Sequence, residues 1–153
     1  MFRRYKKKKK SETPLFDSSG IKVKKAPNLK DKLDKEFSLF IRLRDSEDGY
    51  FRCISCGQIK PFEQADCGHY INRQHMSTRF DEMNCNAQCR ACNRFQEGNM
   101  SGYRQGLVKK YGEQRVLLLE MRKNDIKRYS DFEYQALIKY YHALNERLKK
   151  DKL

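Results

Sequence analysis

The sequence predicts an α+β protein: a small cysteine-clamped core of short strands, flanked by an N-terminal helix and a helical C-terminal third. Three observations carry that expectation. Leu33, Phe37, Phe40, Ile41 and Arg44 recur at helical spacing. Two C-x-x-C pairs, Cys53/Cys56 and Cys89/Cys92, enclose a mostly β-compatible segment. Tyr134, Leu137, Ile138, Tyr141, Leu144 and Leu148 form a stripe along one face of a longer helix near the C-terminus.

The 153 residues allow one domain of ordinary size plus a tail. The expected division is a basic tail over 1–28 and a single domain over 29–153, made of a helix (29–45), a cysteine-bearing core (50–98) and a helical cap (99–153). Thirty-four Lys and Arg against 20 Asp and Glu give a net charge of +14, which favours a polyanionic partner, nucleic acid first. Hydrophobic residues make up only 38% and there is no Trp, so burial needs help from another tie. The six Cys are the available one. The longest apolar run, Val116 to Leu119, is far short of the roughly 20 residues a membrane span requires. Ser11-Glu12-Thr13-Pro14, not an apolar stretch, follows the basic start. A cytoplasmic protein is expected, in the host cell if a phage or prophage encodes it, and in a reducing compartment cysteines are metal ligands or free thiols more often than disulfides.

Residues 1–30 hold 11 basic and 2 acidic side chains, a local charge of +9. Arg3, Arg4 and Lys6 to Lys10 repel one another, so the tail is expected to be disordered alone, serving either to screen phosphates or merely to solubilise. A helix follows from Asn28 to Arg44, after Pro27. Ser46-Glu47-Asp48-Gly49 reads as a turn, and Tyr50 to Cys53 as extended chain. Ala65 to Ile71 is expected to pair with Gln58 to Phe62 across a turn near Pro61 and Glu63. Cys89, Cys92 and Asn93 fit the first turn of a short helix running towards Gln96. The cap begins with a helix from Tyr103 to Tyr111, closed by Gly112, and continues from Glu113 to Lys123. A third helix starts near Ser130, where Ser130-Asp131-Phe132-Glu133 is a capping-box pattern. Its aromatic and leucine stripe is core material, with a dimer interface as a second use.

The two C-x-x-C pairs carry the chemistry. Two thiolates from each pair complete tetrahedral S₄ coordination of one Zn²⁺, and Gly57 tolerates the backbone turn after Cys56. Such a closed site is structural. Cys67 and Cys85 lack the spacing and are left out of it. Between the pairs, Asp66-Cys67-Gly68-His69-Tyr70 places His69 on a strand, where a histidine is ordinarily a hydrogen-bonded structural residue.

The order of features changes that weighting: knuckle, strand with Gly68-His69, loop, Asn84, knuckle, Asn93. It resembles the HNH or ββα-metal endonucleases that carry two zinc knuckles. More closely, Phe37 to Asp45, Cys53-Ile54-Ser55-Cys56-Gly57, Asp66 to Tyr70, Arg79-Phe80-Asp81-Glu82-Met83-Asn84 and Gln88 to Asn93 resemble the phage NinG (Rap) recombination proteins, from about Leu29 to the C-terminus. The resemblance implies an HNH-like ββα-metal core and a DNA endonuclease. His69 would be the general base, Asn84 the middle asparagine that steadies the loop or the imidazole, and Asn93 a ligand of a catalytic Mg²⁺ or Mn²⁺. It also implies 3′-hydroxyl and 5′-phosphate products and branched substrates such as Holliday junctions, for which a homodimer making two symmetric cuts is expected.

Many HNH enzymes have an acidic or histidine ligand directly before the base, where this chain has Gly68. Asp66 is the nearest carboxylate; it reaches the cation only if the strand bends at Gly68, and is otherwise a solvated strand-edge residue. Arg73, Arg79, Arg90 and Arg94 are candidates for gripping DNA phosphates, or else partners in surface ion pairs. His75 reads as a solvated loop residue. Two other functions fit the same residues: a non-catalytic zinc-dependent DNA-binding accessory of recombination, and a general HNH nicking endonuclease.

Overall fold

The computed structural model describes residues 28–152; the expectations for the basic tail lie outside them, apart from Asn28. That residue caps the first helix, its side-chain oxygen accepting the Lys30 N–H at 3.0 Å. Helix α1 (Leu29–Arg44) buries Leu33, Phe37, Phe40 and Ile41, as the spacing predicted, and Leu43 with them, while Arg44 is only half-buried.

Two short strands follow, β1 (Ser46–Glu47) and β2 (Tyr50–Arg52). Asp48 and Gly49 between them both have positive φ (49° and 77°), as a two-residue hairpin turn of matching twist requires. Strand β3 (Ile59–Pro61) pairs antiparallel with β2, Tyr50 opposite Pro61 and Arg52 opposite Ile59.

The pairing expected between Gln58–Phe62 and Ala65–Ile71 does not form. After Pro61, a single 3₁₀ turn over Phe62–Gln64 redirects the chain, and the Phe62 N–H bonds the Gly49 carbonyl at 2.8 Å. Strand β4 (Ala65–His69) pairs instead with β5 (Cys85–Cys89), from Ala65 opposite Cys89 to His69 opposite Cys85. Strand β5 is buried along its whole length although Asn86 and Gln88 are polar, so it shows no apolar alternation for sequence to reveal. The helix expected to run towards Gln96 is only a five-residue π-type turn, Ala91–Phe95.

Helix α2 (Met100–Tyr111) starts three residues before Tyr103 because Asn99 caps it, accepting the Gly102 N–H at 3.3 Å. Helix α3 (Glu113–Arg122) follows Gly112. Helix α4 (Asp131–Lys152) opens with the capping box in place: Ser130 Oγ accepts the Glu133 N–H at 3.3 Å, and Glu133 accepts the Ser130 N–H at 2.8 Å. Its stripe lies against α1, with Phe37 edge-on to the Tyr141 and Phe80 rings at 5.0 and 5.7 Å. A second cluster joins Phe51, Ala65 and Ala87 to Cys53, Cys89 and Cys92. A third gathers Ile71, Tyr103, Leu107, Val116 and Leu119.

The start of α2 rests directly on the first C-x-x-C turn. A Cβ at Gly106 would stand 2.0 Å from the Ile54 carbonyl oxygen, and one at Gly102 2.4 Å from that of Ser55, so only glycine allows this approach. Asp45, just past α1, ties the elements together: its carboxylate accepts the Ala87 N–H at 2.8 Å, Arg44 at 2.9 Å and Lys110 at 3.0 Å. Burial opposes ionisation of Asp45, but the Arg44 hydrogen bonds and charge outweigh it and hold its pKa below the usual 3.8.

Replacing Phe37 with Ala removes the centre of the α1–α4 cluster and is expected to cost about 3–5 kcal/mol in urea unfolding with little change in slope. Because Asp45 has a depressed folded pKa, its stabilisation is present above the unfolded value near 3.8 and is lost as pH falls through the folded one. The Asp45→Asn variant should therefore be less stable at neutral pH and lose less stability than the parent below pH 3.8, as measured by unfolding midpoints across that range.

Candidate metal centre and adjoining polar clusters

The turn after β2 and the end of β5 bring four sulfurs together. The Sγ atoms of Cys53, Cys56, Cys89 and Cys92 all lie within 4.8 Å of one another, and Cys56 Sγ to Cys89 Sγ is 3.9 Å. Tetrahedral bonds of about 2.3 Å to zinc place sulfurs roughly 3.8 Å apart, so the set fits that ion. Gly57, with φ of 72°, donates its N–H to the Cys53 carbonyl at 2.9 Å and closes the first turn. Main-chain and side-chain donors already face the sulfurs: the Cys89 N–H reaches Cys53 Sγ at 3.3 Å, and the Asn99 amide reaches Cys92 Sγ at 3.4 Å. Burial raises the thiol of Cys53, yet amides of Cys89, Cys56 and Ser55 outweigh it and hold the group below its ordinary range. Cys92 has no such surplus: burial and the neighbouring thiols push it up to about 12. The cluster can hold a metal such as zinc.

Strand β4 sorts the remaining site candidates onto two faces. Asp66, Asn93 and Arg94 form one group. Asn93 donates to Asp66 Oδ2 at 3.0 Å, and Arg94 grips both carboxylate oxygens at 2.7 and 2.6 Å. Burial raises Asp66, and the hydrogen bonds from Arg94 and Asn93 more than reverse that, so it stays ionised. Asp66 is thus an ion-pair partner, between the two alternatives that the sequence left open. Gly68 shares its face, and the space a side chain would take there belongs to Gln88, whose Oε1 lies 2.4 Å from a Cβ built on Gly68.

His69 points the other way, towards Cys67 and Cys85. The structure therefore does not gather His69 with Asp66 and Asn93 on one face of the ribbon. Its Nε2 lies 3.1 Å from the Arg79 carbonyl oxygen, an arrangement in which Nε2–H donates and Nδ1 keeps its lone pair. Burial lowers the His69 pKa below 6.5, and the charges of Arg73 and Arg79 add to this against the carbonyl contact, so the ring is neutral at pH 7. Cys67 and Cys85 lack C-x-x-C spacing. The signal available was the Cys-x-His alternation of Cys67 and His69, which puts both side chains on one strand face.

Asn84 is fully buried and clamps the loop between β4 and β5. Its Oδ1 accepts the Ile71 N–H at 2.7 Å, and its amide donates to the Ile71 and Thr78 carbonyls at 2.9 and 3.0 Å. It touches the loop and makes no hydrogen bond to the imidazole; Thr78 adjoins Arg79, the residue whose carbonyl holds His69.

The four arginines have different fates. Arg79 is buried and consumed inside the protein, paired with Asp34 and donating to the Arg73 carbonyl at 2.7 Å. Contrary to expectation it is a brace between α1 and the loop, because a buried guanidinium needs a fixed counter-charge. Arg90 is exposed and donates to the Glu63 carbonyl at 2.6 Å; Arg94 is exposed and holds Asp66; the Arg73 side chain is exposed. Beside these clusters lies a cleft of about 1070 Å³ lined by Tyr70, Asn72, His75, Arg104, Lys109 and Lys123 among others. No helix among the described residues is long and apolar enough to cross a membrane.

Fold and site together define a small α+β protein of helices and short ribbons, built round a four-cysteine centre of metal-binding geometry. The chain belongs to the NinG family: the family described as Bacteriophage Lambda NinG protein matches residues 2–151. It is 38% identical over 86 residues to Protein ninG of Escherichia phage 933W, an alignment covering 56% of this chain and 41% of that protein. Protein ninG of Escherichia phage lambda is 37% identical over 86 residues, covering 56% and 40%. That of Salmonella phage P22 is 40% identical over 74 residues, covering 48% and 34%. The chain thus aligns with about two-fifths or less of the length of these relatives. No solved structure matches.

Replacing Asn84 with Ala would leave the Ile71 N–H and two carbonyls without partners in a dry loop, at about 1–3 kcal/mol for each unsatisfied group. The expected result is a loss of about 3 kcal/mol or more in denaturant unfolding, with increased hydrogen exchange at Ile71.

Proposed function

We propose that this chain is a metal-dependent DNA endonuclease of phage recombination, acting on branched intermediates of the Holliday-junction type and leaving 3′-hydroxyl and 5′-phosphate ends. The observation that carries the reading is the state of His69: a half-buried, neutral imidazole with Nε2 anchored on a main-chain carbonyl and Nδ1 left to accept a proton from water. It stands at the position where the resemblance to HNH nucleases calls for the base. Zinc on Cys53, Cys56, Cys89 and Cys92 is structural in this reading, fixing the start of the turn that carries Asn93.

Asp66 offers carboxylate oxygens and Asn93, whose amide nitrogen now donates to that carboxylate, offers an amide oxygen once its side chain turns over, donors of the kind Mg²⁺ or Mn²⁺ accepts. A divalent cation held there would neutralise charge building on the phosphoryl and leaving oxygens. Arg94 now neutralises Asp66, and its exposed guanidinium is free to exchange that carboxylate for a phosphate. Arg73, close to His69, and Arg90, close to Asp66, would each add a phosphate contact beside that group, without reading base sequence.

One observation favours a second reading. His69 and the Asp66–Asn93 pair occupy opposite faces of β4, so a single phosphate must straddle the ribbon to meet both. A zinc-dependent DNA-binding accessory of recombination needs no such convergence.

Cleavage of a four-way junction, a flap, a linear duplex and single-stranded DNA, with and without Mg²⁺, separates these readings. The expected outcome is Mg²⁺-dependent cutting of the junction, lost by at least two orders of magnitude in the His69→Ala variant while junction binding persists. Binding with no cutting of any substrate across a Mg²⁺ and Mn²⁺ titration would establish the accessory instead; cutting of all duplexes alike would identify a general nickase. DNA affinity should fall steeply as salt rises, since phosphate contacts release counterions.

A further inference from the structure

Outside the four-cysteine centre, the described residues contain one more group of soft metal-binding side chains. Cys67 and His69 project from β4, and Cys85 from the facing position on β5, with their ligand atoms all within 4.8 Å of one another. None of the three belongs to the C-x-x-C set, and both thiols are free. A fourth donor is already aimed at the cluster: the Arg79 carbonyl oxygen lies 3.1 Å from His69 Nε2 and 3.5 Å from Cys85 Sγ. Two sulfurs, one imidazole nitrogen and one carbonyl oxygen are a donor set for zinc or cadmium, not for magnesium.

We propose that Cys67, Cys85 and His69 form a second binding site for a thiophilic divalent cation of the zinc class, separate from the four-cysteine centre and completed by the Arg79 carbonyl. Charge balance permits it in this setting. Binding releases one proton from each thiol, so a dication with two thiolates adds no net charge to the pocket. The nearby Arg79 guanidinium is neutralised by Asp34. Cys85 is fully buried, whereas Cys67 and His69 are partly exposed and give the ion a way in. Of the two ring nitrogens, Nε2 faces the Arg79 carbonyl, so coordination at Nε2 shifts the ring proton to Nδ1, which keeps the imidazole neutral and fixes the ring.

A regulatory consequence follows, and it rests on the nuclease reading. The imidazole proposed as base is one of the three ligands, so filling this site withdraws it from proton transfer. Excess zinc would then suppress DNA cutting while leaving DNA bound.

Zinc counting tests the site without reference to cleavage. The full chain, equilibrated with excess Zn²⁺ under reducing conditions and desalted, is expected to retain two zinc ions per molecule, and the Cys67→Ser and His69→Gln variants one each. Cys67 is chosen over the fully buried Cys85 because it is only partly buried. With Co²⁺ in place of zinc, the thiolate charge-transfer band of Cys67→Ser should fall to about two thirds of the parental intensity, four thiolates remaining bound of six. One zinc in the parent, or two in both variants, overturns the proposal. So does a disulfide mapped between Cys67 and Cys85 by peptide analysis of the parent protein as isolated. If the second zinc is present but no DNA is cut under any condition, the site stands and the nuclease reading falls.

Discussion

Everything in the central part of this protein is positioned by the meeting of two chain segments 33 residues apart at four sulfur atoms. The first pair follows β2, and the second closes β5. Without that junction the β1–β2–β3 sheet and the β4–β5 ribbon would share little more than Phe51, Ala65 and Ala87, a contact too small to orient one against the other. Burial and the neighbouring thiols raise Cys92, and a cation held among the four sulfurs would favour their thiolate forms. Helix α2 is set against the same junction, with Gly102 and Gly106 against the main chain of Ser55 and Ile54.

Strand β5 carries the second level of organisation, and it does so with amides. Asn86 donates to the Met83 carbonyl and accepts from Arg44 and Lys110. Gln88 donates to Ser55 and to the Gly98 carbonyl. With Asn84, these side chains tie β5 to α1, α2, the first cysteine turn and the loop before it. A buried amide satisfied by several separate segments tolerates few alternative arrangements, which trades apolar burial for a defined geometry. The loop that holds His69 through Arg79 inherits its position from this network.

What the sequence made legible divides along physical lines. Helices α1, α3 and α4 could be read because one face of each is apolar at helical spacing and their ends carry Asn28, Gly112 and Ser130. The four-cysteine cluster could be read because two short spacings define it. The partner of β4 could not: Asn86 and Gln88 disguise β5, and the redirecting turn at Phe62–Gln64 has no strong signature. Among the site residues, the opposite faces of Asp66 and His69 followed from strand alternation, and the bend at Gly68 that would have reunited them is absent, with Gln88 filling the space. The burial of Arg79 was hidden because its counter-charge, Asp34, lies 45 residues earlier on α1. The Cys67–His69–Cys85 group needed the β4–β5 register before its members could be seen as neighbours.

The seam between α1 and α4 bears on how the molecule is made. Asn145 meets Glu36 across a separation of 109 residues, and the Phe37 ring finds Tyr141 at comparable range. During synthesis on the ribosome, the oily side of the first helix emerges long before the helix that covers it. For that interval the nascent chain displays Leu33, Phe37, Phe40 and Ile41 to its surroundings, where a chaperone or a neighbouring nascent chain can engage them. Late closure of this kind makes the docking of α4 the step that withdraws this face from such contacts.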